Sequence, residues 1–212
     1  MPLPEIIDFD LALKKYKPSV EPRYVFLFSG HMIDVQGRMP PRFPAKKEKD
    51  AAEAIAKKLD ELGAGQKDLA LCGGACGGDI LFAEACLDRS MHLQIRIPFD
   101  EPTFLKNSIT FAGGNWSDRF NKIKENLNTL LLVMPAELGP TPENINPYER
   151  NNLWQLHTAL SMGAERVRFI CLWDRKGGDG PGGTKHMHDE VEKRSGRVFV
   201  LDTNILFKED KS

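Results

Sequence analysis

The stretch LALCGGACGGDILFAEACL, residues 69–87, decides the fold class of this chain. Its first four residues form an apolar run of strand length, and DILFAEACL has the composition and length of a helix. Four glycines occupy the six positions 73–78 between these two segments. A short glycine-rich turn from a buried strand directly into a helix is typical of α/β proteins with a parallel sheet.

The same alternation of strand and helix continues along the chain. Apolar runs predict five further strands, at residues 24–30, 92–99, 129–135, 167–173 and 197–203. Helical spacing of apolar residues predicts helices within residues 48–62, 79–90, 101–128, 147–164 and 184–194. The run TLLLVMP is continuously apolar, which predicts a central strand covered on both faces. We therefore expect a three-layer, Rossmann-like α/β fold, with one parallel sheet and helices on both faces.

The domain organisation follows from the absence of a dividing linker or repeat in this pattern. We expect residues 23–203 to form a single domain. Residues 1–22 contain four prolines and mixed charge, which predicts an N-terminal arm, and residues 204–212 predict a C-terminal tail.

Composition limits the classes of partner. Lysine and arginine (29) nearly balance aspartate and glutamate (30), so the net charge is −1 and nucleic acid is an unlikely partner by overall charge. No apolar run reaches the roughly 20 residues needed to span a membrane, and the N-terminus lacks the apolar core of a signal peptide. The four cysteines show no metal-type pair, so we expect reduced thiols, a cytoplasmic protein and no bound metal.

Three loops that follow strands are candidates for a ligand site, because open parallel sheets bind ligands beyond the carboxyl ends of their strands. Residues 29–31 follow the first strand, 72–78 the second and 177–184 the fifth. Glycines let a ligand approach the backbone, and a helix that starts there adds free N–H groups, so both glycine-rich turns could hold a phosphate. Asp79 is expected to cap the helix that follows the first of these turns. The alternative, a tight turn needed only for packing, remains open.

These residues also carry a resemblance to a known group. GGACGGDILFAEACL, with FSGH at 28–31 and GPGGT at 180–184, resembles the SLOG superfamily, which joins the Smf/DprA proteins with the LOG phosphoribohydrolases. Among its members, the chain looks most similar to stand-alone or TPR-associated bacterial SLOG domains. The resemblance covers about residues 23–203. It implies that a nucleotide or an ADP-ribose-like molecule binds, without a further cofactor. It also implies a signalling or conflict-system role with an effector or TPR protein, and assembly into homo-oligomers.

The motif of the LOG enzymes is incomplete in this chain. Those enzymes carry P-G-G-x-G-T-x-x-E, whose glutamate helps to cleave an N-glycosidic bond, whereas Pro181 begins PGGTKHM here. We therefore expect binding without catalysis. The alternative is a LOG-like N-glycosidase acting on a nucleoside monophosphate or an NAD-type substrate, with Glu84, Asp79 or Glu190 as the carboxylate.

The predicted ligand-binding residues combine the three loops with an arginine of the first long loop and the RNN sequence at 150–152. They are Ser29, Gly30, His31, Arg42, Gly73, Gly74, Ala75, Gly77, Gly78, Asp79, Arg150, Asn151, Pro181, Gly182, Gly183 and Thr184.

Overall fold

The computed structural model describes residues 21–177, 182–194 and 197–208. Six parallel strands form one sheet in the order β4-β3-β2-β1-β5-β6. The strands are β1 (Val25–Gly30), β2 (Leu69–Cys72), β3 (His92–Ile97), β4 (Thr129–Val133), β5 (Val167–Trp173) and β6 (Val198–Asp202). The helices are α1 (Glu48–Glu61), α2 (Gly78–Leu87), α3 (Glu101–Ser108), α4 (Trp116–Glu125), α5 (Pro147–Leu160), α6 (Thr184–Arg194) and α7 (Thr203–Leu206).

Side chains that alternate along β1 define the two faces of the sheet. Phe26 and Phe28 belong to one core cluster, which includes apolar residues of α1, α2 and α4, and the Phe28 ring stacks on Phe82 of α2 at 4.6 Å. Val25 and Leu27 belong to the cluster on the other face, together with residues of α5 and α6. The structure thus confirms the predicted three-layer α/β fold.

The position of β4 is where the prediction from apolarity is wrong. β4 is an edge strand rather than a central one, and Leu130 and Val133 are 48% and 43% exposed. Leu131 packs against the main core, whereas Leu132 joins a small cluster with Trp154. A continuous apolar run shows that both faces of a strand make contacts. The run does not show which strands lie beside β4. The connection after β4 decides this, because it carries the chain back to β5, which pairs with β1 rather than with β4.

The order of the strands creates one crevice at the carboxyl edge of the sheet. The chain moves from β1 toward β2 on one side, and from β5 toward β6 on the other. Neighbouring strands whose connections leave in opposite directions open a gap above their carboxyl ends, which is the usual ligand position in such sheets. In this protein the gap lies between β1 and β5.

The segment after β6 contacts the domain. α7 begins directly after β6, and the Phe207 ring stacks on Phe43 at 5.3 Å. Within the residues that the structure describes, no helix is both long and apolar enough to cross a membrane.

Candidate functional site

A cavity of about 300 Å³ opens at this crevice. The carboxyl ends of β1, β2 and β5 and the first turns of α2, α5 and α6 line it, together with α3. Its predicted lining residues are Ser29, Gly30, His31, Arg42, Gly73, Ala75, Asp79, Asn151, Gly182, Gly183 and Thr184. Those that the sequence reasoning did not select are Met32, Phe104, Asn107, Tyr148, Asn152, Trp173 and Lys185.

The glycines at 77 and 78 serve close packing of two loops. Gly77 has φ +97°, and a Cβ there would lie 2.7 Å from the Ile33 nitrogen. A Cβ on Gly78 would lie 3.1 Å from the Cα of Gly30, and the Gly78 N–H donates to the His31 carbonyl at 3.1 Å. Neither residue lines the cavity. These two glycines therefore seat α2 directly against the end of β1.

Gly74 also lies outside the lining of the cavity. Its φ is +76°, and a Cβ would meet the Ile95 side chain at 2.7 Å. Only the first glycine of the turn, Gly73, borders the cavity.

Asp79 does not cap α2 as predicted, because the N-cap residue is Gly77 and Asp79 lies inside the first turn. Its carboxyl group turns back toward the glycine-rich loop, where Oδ2 accepts from the Ala75 N–H at 3.3 Å. Burial raises the pKa of Asp79 to about 7, while the backbone N–H groups of Ala75, Gly30, Gly73 and Gly74 oppose the shift. The N–H groups of this loop therefore face a carboxyl group, at the turn that the sequence predicts to hold a phosphate.

Asp79 and Asn151 line the cavity, and each has one buried side-chain oxygen without a hydrogen-bond partner within the described part of the chain. These atoms are Asp79 Oδ1 and Asn151 Oδ1. The amide nitrogen of Asn151 donates to the Arg96 carbonyl at 2.7 Å, which fixes the orientation of the side chain. Both oxygens are therefore hydrogen-bond acceptors without a donor among the described residues.

His31 fastens the loop after β1 to the loop after β5. Its Nε2 accepts from the Asp174 N–H at 3.1 Å and lies 3.2 Å from Asp174 Oδ1. Burial lowers the pKa of His31, although Asp174 opposes the shift. A neutral imidazole with Nε2 as acceptor fits the bond from the Asp174 N–H and the lowered pKa.

The turn that enters α6 forms another wall of the cavity. Thr184 is the first residue of α6, and its hydroxyl lies 3.4 Å from the Ser29 hydroxyl. Gly182 has φ +88° and its carbonyl accepts from the Asn152 side chain at 2.7 Å. This bond holds the turn against α5. Pro181 lies outside the described residues.

Arg150 does not reach the cavity. Its guanidinium donates to the Leu138 carbonyl and, at 3.0 Å, to the Gly139 carbonyl. These bonds hold the short 3₁₀ helix Ala136–Leu138 beside α5. The next residue, Asn151, is the part of the RNN sequence that borders the cavity.

The glutamates considered as catalytic groups lie elsewhere. Arg119 donates to both carboxylate oxygens of Glu84, at 2.7 and 2.6 Å. Glu190 pairs with Lys193 and Arg194. Neither glutamate lines the cavity, so Asp79 is the one carboxyl group in its described lining.

The four cysteines are all free and buried. Burial raises the pKa of Cys76 and of Cys171 to about 12, which keeps both thiols protonated at neutral pH. Within the described ranges, no group of three histidine, cysteine, aspartate or glutamate side chains is arranged to hold a metal ion.

No protein-family model matches the chain, and no curated protein matches it. Among solved structures, the chain is similar to DNA processing protein A from Helicobacter pylori, which is described for its single-stranded DNA binding. The identity is 13% and the TM-score 0.37, over 98% of this chain and 92% of that chain. DNA processing protein A from Streptococcus pneumoniae gives 13% identity and a TM-score of 0.35, over 95% of this chain and 65% of that chain. The Moco carrier protein from Chlamydomonas reinhardtii gives 9% identity and a TM-score of 0.31, over 84% of this chain and 88% of that chain. All three TM-scores are below 0.5, so the fold assignment rests on the sheet order described above.

Proposed function

We propose that the cavity between β1 and β5 binds a nucleotide or a nucleotide-derived ligand. The observation that carries this proposal is that one cavity combines the start of α6 with two buried, unpartnered oxygen atoms. The start of α6 suits a phosphate group, and the two oxygen atoms suit hydrogen-bond donors of a base or ribose.

The phosphate belongs at the start of α6. The first N–H groups of a helix have no partner within the helix, and the helix dipole places partial positive charge there. Gly183, Thr184 and Lys185 bring this end of α6 to the cavity, and Ser29 adds a second hydroxyl beside Thr184. Arg42 lines the same cavity and contributes a positive charge.

The base or ribose belongs near Asp79 and Asn151. A buried acceptor without a partner destabilises a protein by about 1–3 kcal/mol, and a ligand that donates to it recovers that free energy. Trp173 and Phe104 line the cavity and provide apolar area for a ring. The Trp173 indole N–H donates to the Lys176 carbonyl at 2.8 Å, so the ring is held in place.

Calorimetric titration with AMP, ADP, cyclic nucleotides and ADP-ribose tests this proposal. We expect at least one of them to bind, and Thr184→Val to weaken that binding by about tenfold, which corresponds to loss of one hydrogen bond to a charged group. Thr110→Val is the matched control, because Thr110 is exposed and outside the cavity. The proposal is wrong if no member of the panel binds at about 1 mM.

A second candidate function follows from the position of Asp79. A carboxyl group with a pKa of about 7 can deliver a proton at neutral pH, and this one borders the cavity. In an N-glycosidase, Asp79 would protonate the departing base while water attacks C1′ of the ribose. The bond between base and ribose breaks, a C–O bond forms at C1′, and the proton that the attacking water releases returns to the Asp79 carboxylate.

Chromatography after incubation with AMP or ADP-ribose separates binding from hydrolysis. If the protein is a glycosidase, free base accumulates and Asp79→Asn stops its release, whereas Glu84→Gln and Glu190→Gln release it at the normal rate. Binding without release in the wild-type protein excludes this candidate for the nucleotides tested.

A further inference from the structure

A second cavity, of about 500 Å³, lies beside the first one. We call it the basic groove. Its described lining contains six cationic side chains and one carboxylate. The cationic residues are Arg38, Arg42, Lys46, Lys47, Lys176 and Lys208, and the carboxylate belongs to Asp174. The whole chain has a net charge of −1, so this groove is more positive than the molecule as a whole, although Arg38 pairs with Asp34 and Lys47 with Asp50.

Lys47 of the groove pairs with Asp50 at 2.9 Å, whereas two other carboxylates close to the groove bond the loops that build it. Asp34 accepts from the backbone N–H groups of Arg42 and Phe43, both at 2.9 Å, and lies 3.5 Å from Arg38 Nε. Asp174 accepts from the Lys176 N–H at 3.0 Å and faces the His31 ring. These carboxylates therefore fix the backbone of both walls.

Both walls are anchored to the domain. The Phe43 ring stacks on Phe207, which joins the long first loop to the segment after β6. The Asn204 side chain donates to the Asp174 carbonyl at 2.6 Å, which joins α7 to the loop after β5. Among the described residues, neither the Lys176 nor the Lys208 ammonium has an ion-pair partner. Fixed walls that carry unpaired ammonium groups suit an anion with several charges.

The basic groove and the first cavity are neighbours. Arg42 lines both, and Asp174, which lines the groove, is bonded to His31 of the first cavity. A ligand whose phosphate lies at the start of α6 can therefore extend toward the groove. We propose that the basic groove is a second anion site, which binds a further phosphate group of a nucleotide that carries phosphates at two positions. The nucleotide part of this inference rests on the proposed function, whereas the anion site itself does not.

The groove can be tested alone with inorganic tripolyphosphate. We expect its titration to shift the amide NMR signals of Gly177, Asn204 and Lys208 in the ¹⁵N-labelled protein. The double variant Lys176→Glu/Lys208→Glu should weaken this binding by at least about tenfold. Lys49→Glu/Lys57→Glu is the matched control, since it makes the same charge change on α1, outside the groove. Absence of these shifts, or equal weakening by both double variants, overturns the anion site even if mononucleotides bind in the first cavity.

The link between the two cavities is tested with AMP and adenosine 3′,5′-bisphosphate. We expect the bisphosphate to bind more tightly than AMP, and the groove variant to remove this advantage while AMP affinity stays within about twofold. If neither nucleotide binds but tripolyphosphate does, the proposed function fails and the anion site stands. If both bind equally in the wild-type protein, the extension into the groove is wrong.

A single-stranded oligonucleotide is the remaining arm of the test. Tighter binding of an oligonucleotide than of the bisphosphate, with steep salt dependence that the groove variant abolishes, would assign the groove to a nucleic acid backbone and overturn the small-ligand proposal.

Discussion

Asp79 combines the features of a structural and a functional residue. The residue lines the cavity, its Oδ2 accepts from the loop that leads into α2, and its buried Oδ1 has no partner in the described part of the protein. Burial makes the ionised form costly, and this is why its pKa rises to about 7. The same carboxyl group therefore limits the stability of the free protein and offers an acceptor to a ligand.

The raised pKa predicts a loss of stability with increasing pH. In the unfolded chain Asp79 ionises near pH 4, and in the folded protein near pH 7, so its contribution decreases as the pH rises between these values. We expect Asp79→Asn to stabilise the protein relative to wild type, by an amount that grows on the order of 4 kcal/mol from about pH 4 to pH 8.

Urea unfolding of both proteins at the two pH values measures this difference. The comparison cancels the titration of His31, whose pKa is lowered and which the two proteins share. An equal difference in stability at both pH values would show that Asp79 ionises normally in the folded state.

At the scale of elements, the entry into α2 decides how close the helix comes to the sheet. Gly78 and Gly30 approach so closely that a Cβ on either residue would lie within 3.2 Å of the other Cα. Gly77 packs in the same way against the backbone of residues 31–33. The glycine-rich turn is thus required for packing at these positions, and this is why the proposed function assigns the phosphate to the start of α6.

This packing predicts different costs for two glycine-to-alanine substitutions. Gly63 also has a positive φ, but an added Cβ there meets nothing within 4 Å. We expect Gly63→Ala to cost about 1–2 kcal/mol from backbone strain alone. Gly77→Ala should cost at least about 2 kcal/mol more, because its Cβ collides with the backbone. Equal losses in urea unfolding would mean that the two loops separate easily.

At the scale of the whole molecule, a near-zero net charge conceals an uneven distribution. The expectation that nucleic acid is not a partner used the sum of all charges, but the basic groove gathers six cationic side chains on one part of the surface. They come from three separate parts of the sequence, 38–47, 176 and 208. The net charge of the sequence does not show which charged residues folding brings together.

The sequence predicts the fold of this protein more completely than it predicts the lining of the cavity. Strands and helices follow from the spacing of apolar residues, which is a local property, so all six strands were found. The edge position of β4 depends on a long connection and was missed. In the site, the loops after β1 and β5 were predicted from their place after strands. Phe104, Asn107 and Tyr148 reach the cavity from α3 and the start of α5, and no local pattern marks them.

The contact between Gly30 and Gly78 has a consequence for how this site can change during evolution. A side chain on either glycine would press against the Cα of the other and would require the end of β1 and the start of α2 to move apart, so this side of the crevice tolerates little variation. The opposite wall includes side chains of α5 and α6, and one of them, Lys185, lies on an exposed helix surface where a single exchange disturbs no packing. Changes in the shape of the cavity would therefore arise on that wall, while the contact between Gly30 and Gly78 keeps α2 in place beside β1.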